Sequence, residues 1–182
     1  MSTRIKPVEA DNASKEQNEV LNLINQKFGR IPNIFALMAN SPQSIKGYLA
    51  FNEALSNGVL SPQIRERIAI VVAETHLCEY CLSAHVALAK QIGLDDAEIM
   101  KARQVQSQDA KIDAMLGFAR NLLLRKADLP ESDYSDLKAS GVTDAEITEI
   151  IANVALNVFT NYFNHVAKTE VDFPKIKLAF PV

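Results

Sequence analysis

Apolar residues recur along this chain at the three-to-four-residue spacing of an α-helix, and no alternating run of useful length marks a strand. The pattern predicts a first helix over Glu16 to Phe28, ended by Gly29 and Pro32. Ser41-Pro42 and Ser61-Pro62 each read as an N-cap followed by Pro at the first helical position. The first of these opens a helix carrying Ile45, Tyr48, Leu49, Asn52 and Leu55, stopped at Asn57-Gly58; the second places Ile64, Ile68, Val71 and Val72 on one face. A further helix is expected from Cys78 to Lys90, closing at Gly93, and Asp95 with Glu98 starts another in the manner of a capping box. Ile112, Met115, Leu116, Ala119, Leu122 and Leu123 form the cleanest stripe. Thr143 with Glu146 opens the last long helix, with Ile147, Ile150, Ile151, Val154 and Val158 marking its buried side. The nearly all-apolar run from Val154 to Phe159 predicts that this helix is central. The expected class is all-α, one domain, with a C-terminal arm after Asp172-Phe173-Pro174.

An offset of 83 residues brings Gly58-Val59 onto Gly141-Val142, and Ile64, Glu66, Ile68, Ala69 and Val71 onto Ile147, Glu149, Ile151, Ala152 and Val154. Seven identities in 24 positions fit either an internal duplication or shared helix composition. The same offset sets Cys78 and Cys81 against Asn161 and Asn164, so a second copy would carry no thiols.

At 182 residues, with 48% apolar and 23% charged content, the chain suits one globular core. A net charge of −3 offers no broad positive field for nucleic acid or an anionic membrane. The longest apolar runs fall well short of a membrane span, and the first residues lack an apolar signal segment, so a cytoplasmic setting is expected. The two cysteines form a single C-x-x-C, Cys78 and Cys81, a spacing that favours redox chemistry or metal over a structural staple.

On one continuous helix, Cys78, Cys81 and His85 would fall within a 60° arc, His85 one turn beyond Cys81. A thiol beside a base suits nucleophilic chemistry, and a second thiol can capture the oxidised sulfur as a disulfide. A helix N-terminus and the imidazole would both favour a thiolate, so at least one thiol is expected below the free value of ~8.5. Zinc would need four ligands; adding His76 to this set requires a sharp chain reversal, so no metal is expected. Two carboxylates are candidate proton carriers: Glu74, four residues before Cys78, and Glu66, which lies with Ala69, Ile70 and Ala73 and could be buried against an imidazole such as His85.

The arrangement Glu66-x11-Cys78-x2-Cys81-x3-His85 resembles the AhpD-like alkylhydroperoxidase branch of the carboxymuconolactone decarboxylase family. Cys78-Glu-Tyr-Cys-Leu-Ser-Ala-His85, Arg30-Ile-Pro-Asn-Ile-Phe, Asn161-Tyr-Phe-Asn-His165 and Asp172-Phe-Pro174 strengthen the likeness. It covers residues 28–174, with residues 1–27 as an N-terminal arm and first helix and 175–182 as a C-terminal arm. The resemblance implies a helical fold built from a duplicated motif and a trimeric or hexameric homo-oligomer. It implies a peroxidase that needs no cofactor, acts on a small hydroperoxide and is re-reduced by an external dithiol or thiol protein. By the same resemblance Cys81 attacks peroxide, Cys78 resolves, His85 is the base through a water, and Glu66 supports it in preference to Glu74. Tyr80 stands where well-studied members carry a second histidine, which bears on the relay and the substrate. The same residues would also suit a disulfide oxidoreductase or redox sensor. A decarboxylase-like acid–base enzyme would use Glu66 and His85 alone, and a non-enzymatic assembly module would use none of them.

Overall fold

The computed structural model describes residues 3–180, and these form an all-α domain in which no strand occurs among the described residues. After a short 3-10 turn at Ala10–Asn12, the helices are α1 Lys15–Phe28, α2 Asn33–Met38, α3 Pro42–Ser56, α4 Pro62–Thr75 and α5 Glu79–Gln91. They continue as α6 Asp96–Arg103, α7 Ala110–Leu124, α8 Glu131–Ala139 and α9 Asp144–Ala167. No helix among the described residues is long and apolar enough to cross a membrane.

The start signals act as the sequence predicts. Ser41 and Ser61 cap α3 and α4, each with Pro at the first helical position, and Asp95 and Thr143 close capping boxes with Glu98 and Glu146. Gly29 ends α1 in the left-handed conformation at φ 70°, which glycine adopts without a Cβ penalty. Two short helices, α2 and α8, were not predicted. Both follow a proline at the cap position and neither has a side-chain cap bond, so little in the local sequence announces them.

The central helix is α4. It packs on α5, α6, α7 and α9, and every residue from Arg67 to Glu74 is buried. This corrects the expectation that α9 holds the centre. One side of α9 is buried through Ile147, Ile150, Val154 and Leu156, but Ile151, Phe159, Tyr162 and Val166 lie exposed on its other side. Ile151 was expected inside and is 47% exposed. An apolar run shows that a helix can be buried all round, whereas the number of neighbouring helices decides whether it is.

The turn between α4 and α5 sets up the site. The N–H of Cys78 donates to Ala73 O at 2.9 Å and that of Leu77 to Glu74 O at 3.0 Å, a Schellman closure. The left-handed position falls on Leu77 (φ 55°), where glycine is the usual occupant. No Gly or Pro therefore marks this break, and the corresponding stretch of α9, 83 residues on, stays helical.

The C-terminal arm folds back on its own chain. Asp172 accepts from Arg30 at 2.7 Å and from the Asn33 N–H at 3.0 Å. The Ile176 N–H donates to Ser83 Oγ at 3.0 Å, and Arg103 donates to Lys177 O at 2.7 Å.

Candidate functional site

Cys78 is the N-cap of α5, not its first helical residue, with an extended backbone (φ −95°, ψ 94°). The helical-wheel argument for three residues on one face therefore does not hold for it. The two sulfurs meet for a different reason. The cap folds Cys78 Sγ over the first turn, where it accepts the Cys81 N–H at 3.3 Å, and the two cysteines form a disulfide with Cα atoms 5.3 Å apart. Cys81 and His85 do keep the expected one-turn spacing within α5.

A cavity of about 500 Å³ opens between α1, α3, α4, α5 and α9. Cys81, His85 and Glu66 line it together, and Cys78 is not among its lining residues. His85 Nδ1 lies 2.8 Å from Glu66 Oε2, both side chains about one-fifth exposed. With an ionised Glu66 as acceptor, Nδ1 carries the proton and Nε2 is left with its lone pair. The carboxylate thus selects the tautomer in which the outer nitrogen can take a proton. Glu74 serves elsewhere: its carboxylate meets the buried Arg103 Nε at 2.5 Å.

The sulfur of Cys81 has a second polar neighbour, which the sequence did not single out. Asn164 Nδ2 of α9 donates to Cys81 Sγ at 3.3 Å, while Asn164 Oδ1 is buried with no partner. These two residues are the pair set against each other by the 83-residue offset. The carboxylate that the same offset sets against Glu66 is used differently. Glu149, equivalent to Glu66, accepts the N–H groups of Val59 at 2.7 Å and Leu60 at 3.0 Å and so holds the α3–α4 turn.

Tyr80 lines the cavity and is fixed there. Its oxygen accepts the Ile34 N–H at 3.2 Å, and its ring meets Phe173 edge-on. Burial, opposed in part by the Ile34 hydrogen bond, pushes its phenol up, so it stays protonated at neutral pH. Tyr48 is likewise pushed up to about 12, first by burial and then by the charge of Glu66. His165 donates from Nε2 to the His76 carbonyl at 2.7 Å, tying α9 to the end of α4. Among the described residues no three His, Cys, Asp or Glu side chains are gathered to hold a metal.

The sequence model of the carboxymuconolactone decarboxylase family matches residues 42–125, a stretch that contains Glu66, both cysteines and His85. The fold matches an uncharacterized peroxidase-related protein from Ralstonia eutropha JMP134, an alkylhydroperoxidase AhpD core, with a TM-score of 0.83. That pair is 21% identical over 94% of this chain and 93% of the other. An uncharacterized peroxidase-related protein from Silicibacter sp. TM1040 is 25% identical over 93% of each chain, TM-score 0.79. The debrominase Bmp8, solved in complex with 2,3,4-tribromopyrrole, is 20% identical over 94% of this chain and 93% of its own, TM-score 0.79. No curated protein sequence matches. Residues 42–125 thus match the carboxymuconolactone decarboxylase family model, and the chain as a whole shares the AhpD-like all-α fold.

Proposed function

We propose that the protein is a thiol-dependent hydroperoxidase. The observation that carries this reading is the shared cavity: one sulfur of a C-x-x-C disulfide opens into it beside an imidazole whose outer nitrogen is free, with the second sulfur behind. In the reduced protein, His85 takes the proton of Cys81, directly or through a water. The thiolate attacks the terminal oxygen of the hydroperoxide; an S–O bond forms and the O–O bond breaks. The proton held by His85 goes to the leaving alkoxide, giving an alcohol. Cys78 then attacks the sulfur of the Cys81 sulfenic acid, and its own proton leaves with the hydroxyl as water.

The position of Cys78 suits this second step. At the N-terminus of α5, with a backbone N–H aimed at its sulfur, its thiolate is favoured by the helix dipole. An external dithiol then re-reduces the pair. The net change is hydroperoxide plus dithiol to alcohol, water and disulfide. The debrominase shows that the AhpD-like fold carries other chemistry as well, so turnover of a hydroperoxide, and not the fold, decides the reading.

The test is a mass measurement on the reduced protein before and after one equivalent of peroxide. Wild type should lose two hydrogens, Cys78→Ser should gain one oxygen on Cys81, and Cys81→Ser should be unchanged and inactive. Full peroxidase turnover in Cys81→Ser would refute the proposal. Turnover that survives loss of both thiols would favour acid–base chemistry at Glu66 and His85.

A further inference from the structure

The cavity is much larger than a peroxide group requires. At about 500 Å³ it exceeds the share of one water, roughly 30 Å³, many times over and falls in the range of small-molecule sites. Its walls include Phe28, Phe35, Tyr48, Leu88, Leu156 and Phe173, a surface for an apolar body.

The charges around it do not balance. Four cationic or potentially cationic side chains line the cavity, Lys27, Arg30, Arg65 and His85, against one carboxylate, Glu66. Glu66 is engaged by His85, and Arg30 is neutralised by Asp172 and lies over the Phe173 ring. Arg65 has no carboxylate within 4.0 Å among the described residues, and its Nε is buried without any hydrogen-bond partner. Two residues further along α4, Arg67 is paired with Glu98 at 2.7 Å. Lys27, at the rim, has Asn52 Oδ1 as its polar neighbour at 3.3 Å and no carboxylate partner among the described residues.

We propose that the substrate is an organic hydroperoxide carrying a carboxylate, with Arg65 and Lys27 holding the anion while the peroxide end reaches Cys81. This rests on the hydroperoxidase reading and deepens it. A guanidinium presents a planar fork that matches a carboxylate. Arg65 and Lys27 line the same cavity as Cys81 and His85, with the apolar walls among them.

The probes are cumene hydroperoxide carrying a para-carboxylate and the corresponding carboxamide, similar in size and different in charge. Wild type should show kcat/KM about tenfold or more higher for the acid, a preference that shrinks as salt is raised. In Arg65→Gln the ratio should fall toward one, and in Lys27→Gln it should fall in part. Because acid and amide are compared within each variant, a loss of folded protein does not change the ratio. Calorimetric binding of 4-isopropylbenzoate against 4-isopropylbenzamide to the oxidised protein reads the same site without turnover. Equal handling of acid and amide by wild type, or a preference that survives in the Arg65→Gln/Lys27→Gln double variant, overturns the proposal. Selective binding of the benzoate with no turnover of any hydroperoxide upholds the anion site and overturns the peroxidase reading.

Discussion

The contact between Asn164 and Cys81 can be turned into a number. Its Nδ2 donates to Sγ at 3.3 Å in a buried setting, and the same donor would face the thiolate of the reduced protein. A hydrogen bond to a charged group contributes about 1.5–3 kcal/mol, and one pKa unit corresponds to about 1.4 kcal/mol. Asn164→Ala should therefore raise the Cys81 thiol by about one to two units. The thiolate fraction near neutral pH falls about ten- to a hundredfold. Nucleophilicity rises with basicity at a Brønsted slope of roughly 0.4–0.5, so the net loss in peroxide rate is only about three- to fifteenfold. Asn164→Asp, which sets a carboxylate against the sulfur, should raise the thiol further than Ala does. The assay is the pH dependence of thiolate absorbance and of alkylation rate in reduced Cys78→Ser protein, where Cys81 is the single thiol. The same titration midpoint in the Asn, Ala and Asp forms would refute the reasoning, because a donor that stabilises the thiolate cannot be removed or inverted without moving it.

The remaining predictions concern the relay, the buried ion pair, one turn and one histidine. Glu66→Gln should lower peroxide turnover about tenfold to a hundredfold, and adding His85→Ala should cost little more, since the two act as one unit; steady-state rates of the single and double variants check this. Glu74→Leu leaves the buried Arg103 charge uncompensated and should cost about 3–5 kcal/mol in urea unfolding, whereas Glu74→Leu with Arg103→Met should recover most of it. The Glu149 carboxylate fills the space a Cβ at Gly58 would need, so Gly58→Ala should destabilise wild type more than it destabilises Glu149→Ala, a coupling read by a double-mutant cycle. Burial first and His165 second hold His76 below its ordinary 6.5. The unfolded chain then binds the extra proton, so stability should fall as pH drops from about 6.5 through the folded value, and His76→Gln should flatten that fall in urea midpoints compared at about pH 7.5 and 5.5.

Most of the helical framework was legible from the sequence because it is written in local chemistry. Ser41, Ser61, Asp95 and Thr143 accept backbone N–H groups three residues on, and an N-cap needs nothing beyond its own first turn. The likeness carried by Glu66, Cys78, Cys81 and His85 pointed to residues of which three line one cavity, and the Glu66–His85 contact was expected from a buried carboxylate needing a partner. The α4–α5 break was not legible, because its left-handed residue is Leu77 and not glycine. Nor was the role of Cys78 as a cap, which follows from that break.

The linear order of residues was enough for the helices with conventional caps, the two thiols at close spacing and the imidazole one turn from the second. It took the packed chain to put α4 and not α9 at the centre, to spend Glu74 on Arg103, and to bring Asn164 onto Cys81 from 83 residues away. Capping and periodicity are short-range, so they survive in a one-dimensional reading. Burial, charge pairing and the walls of a cavity depend on which helices meet, and that is a property of the assembled layers as a whole.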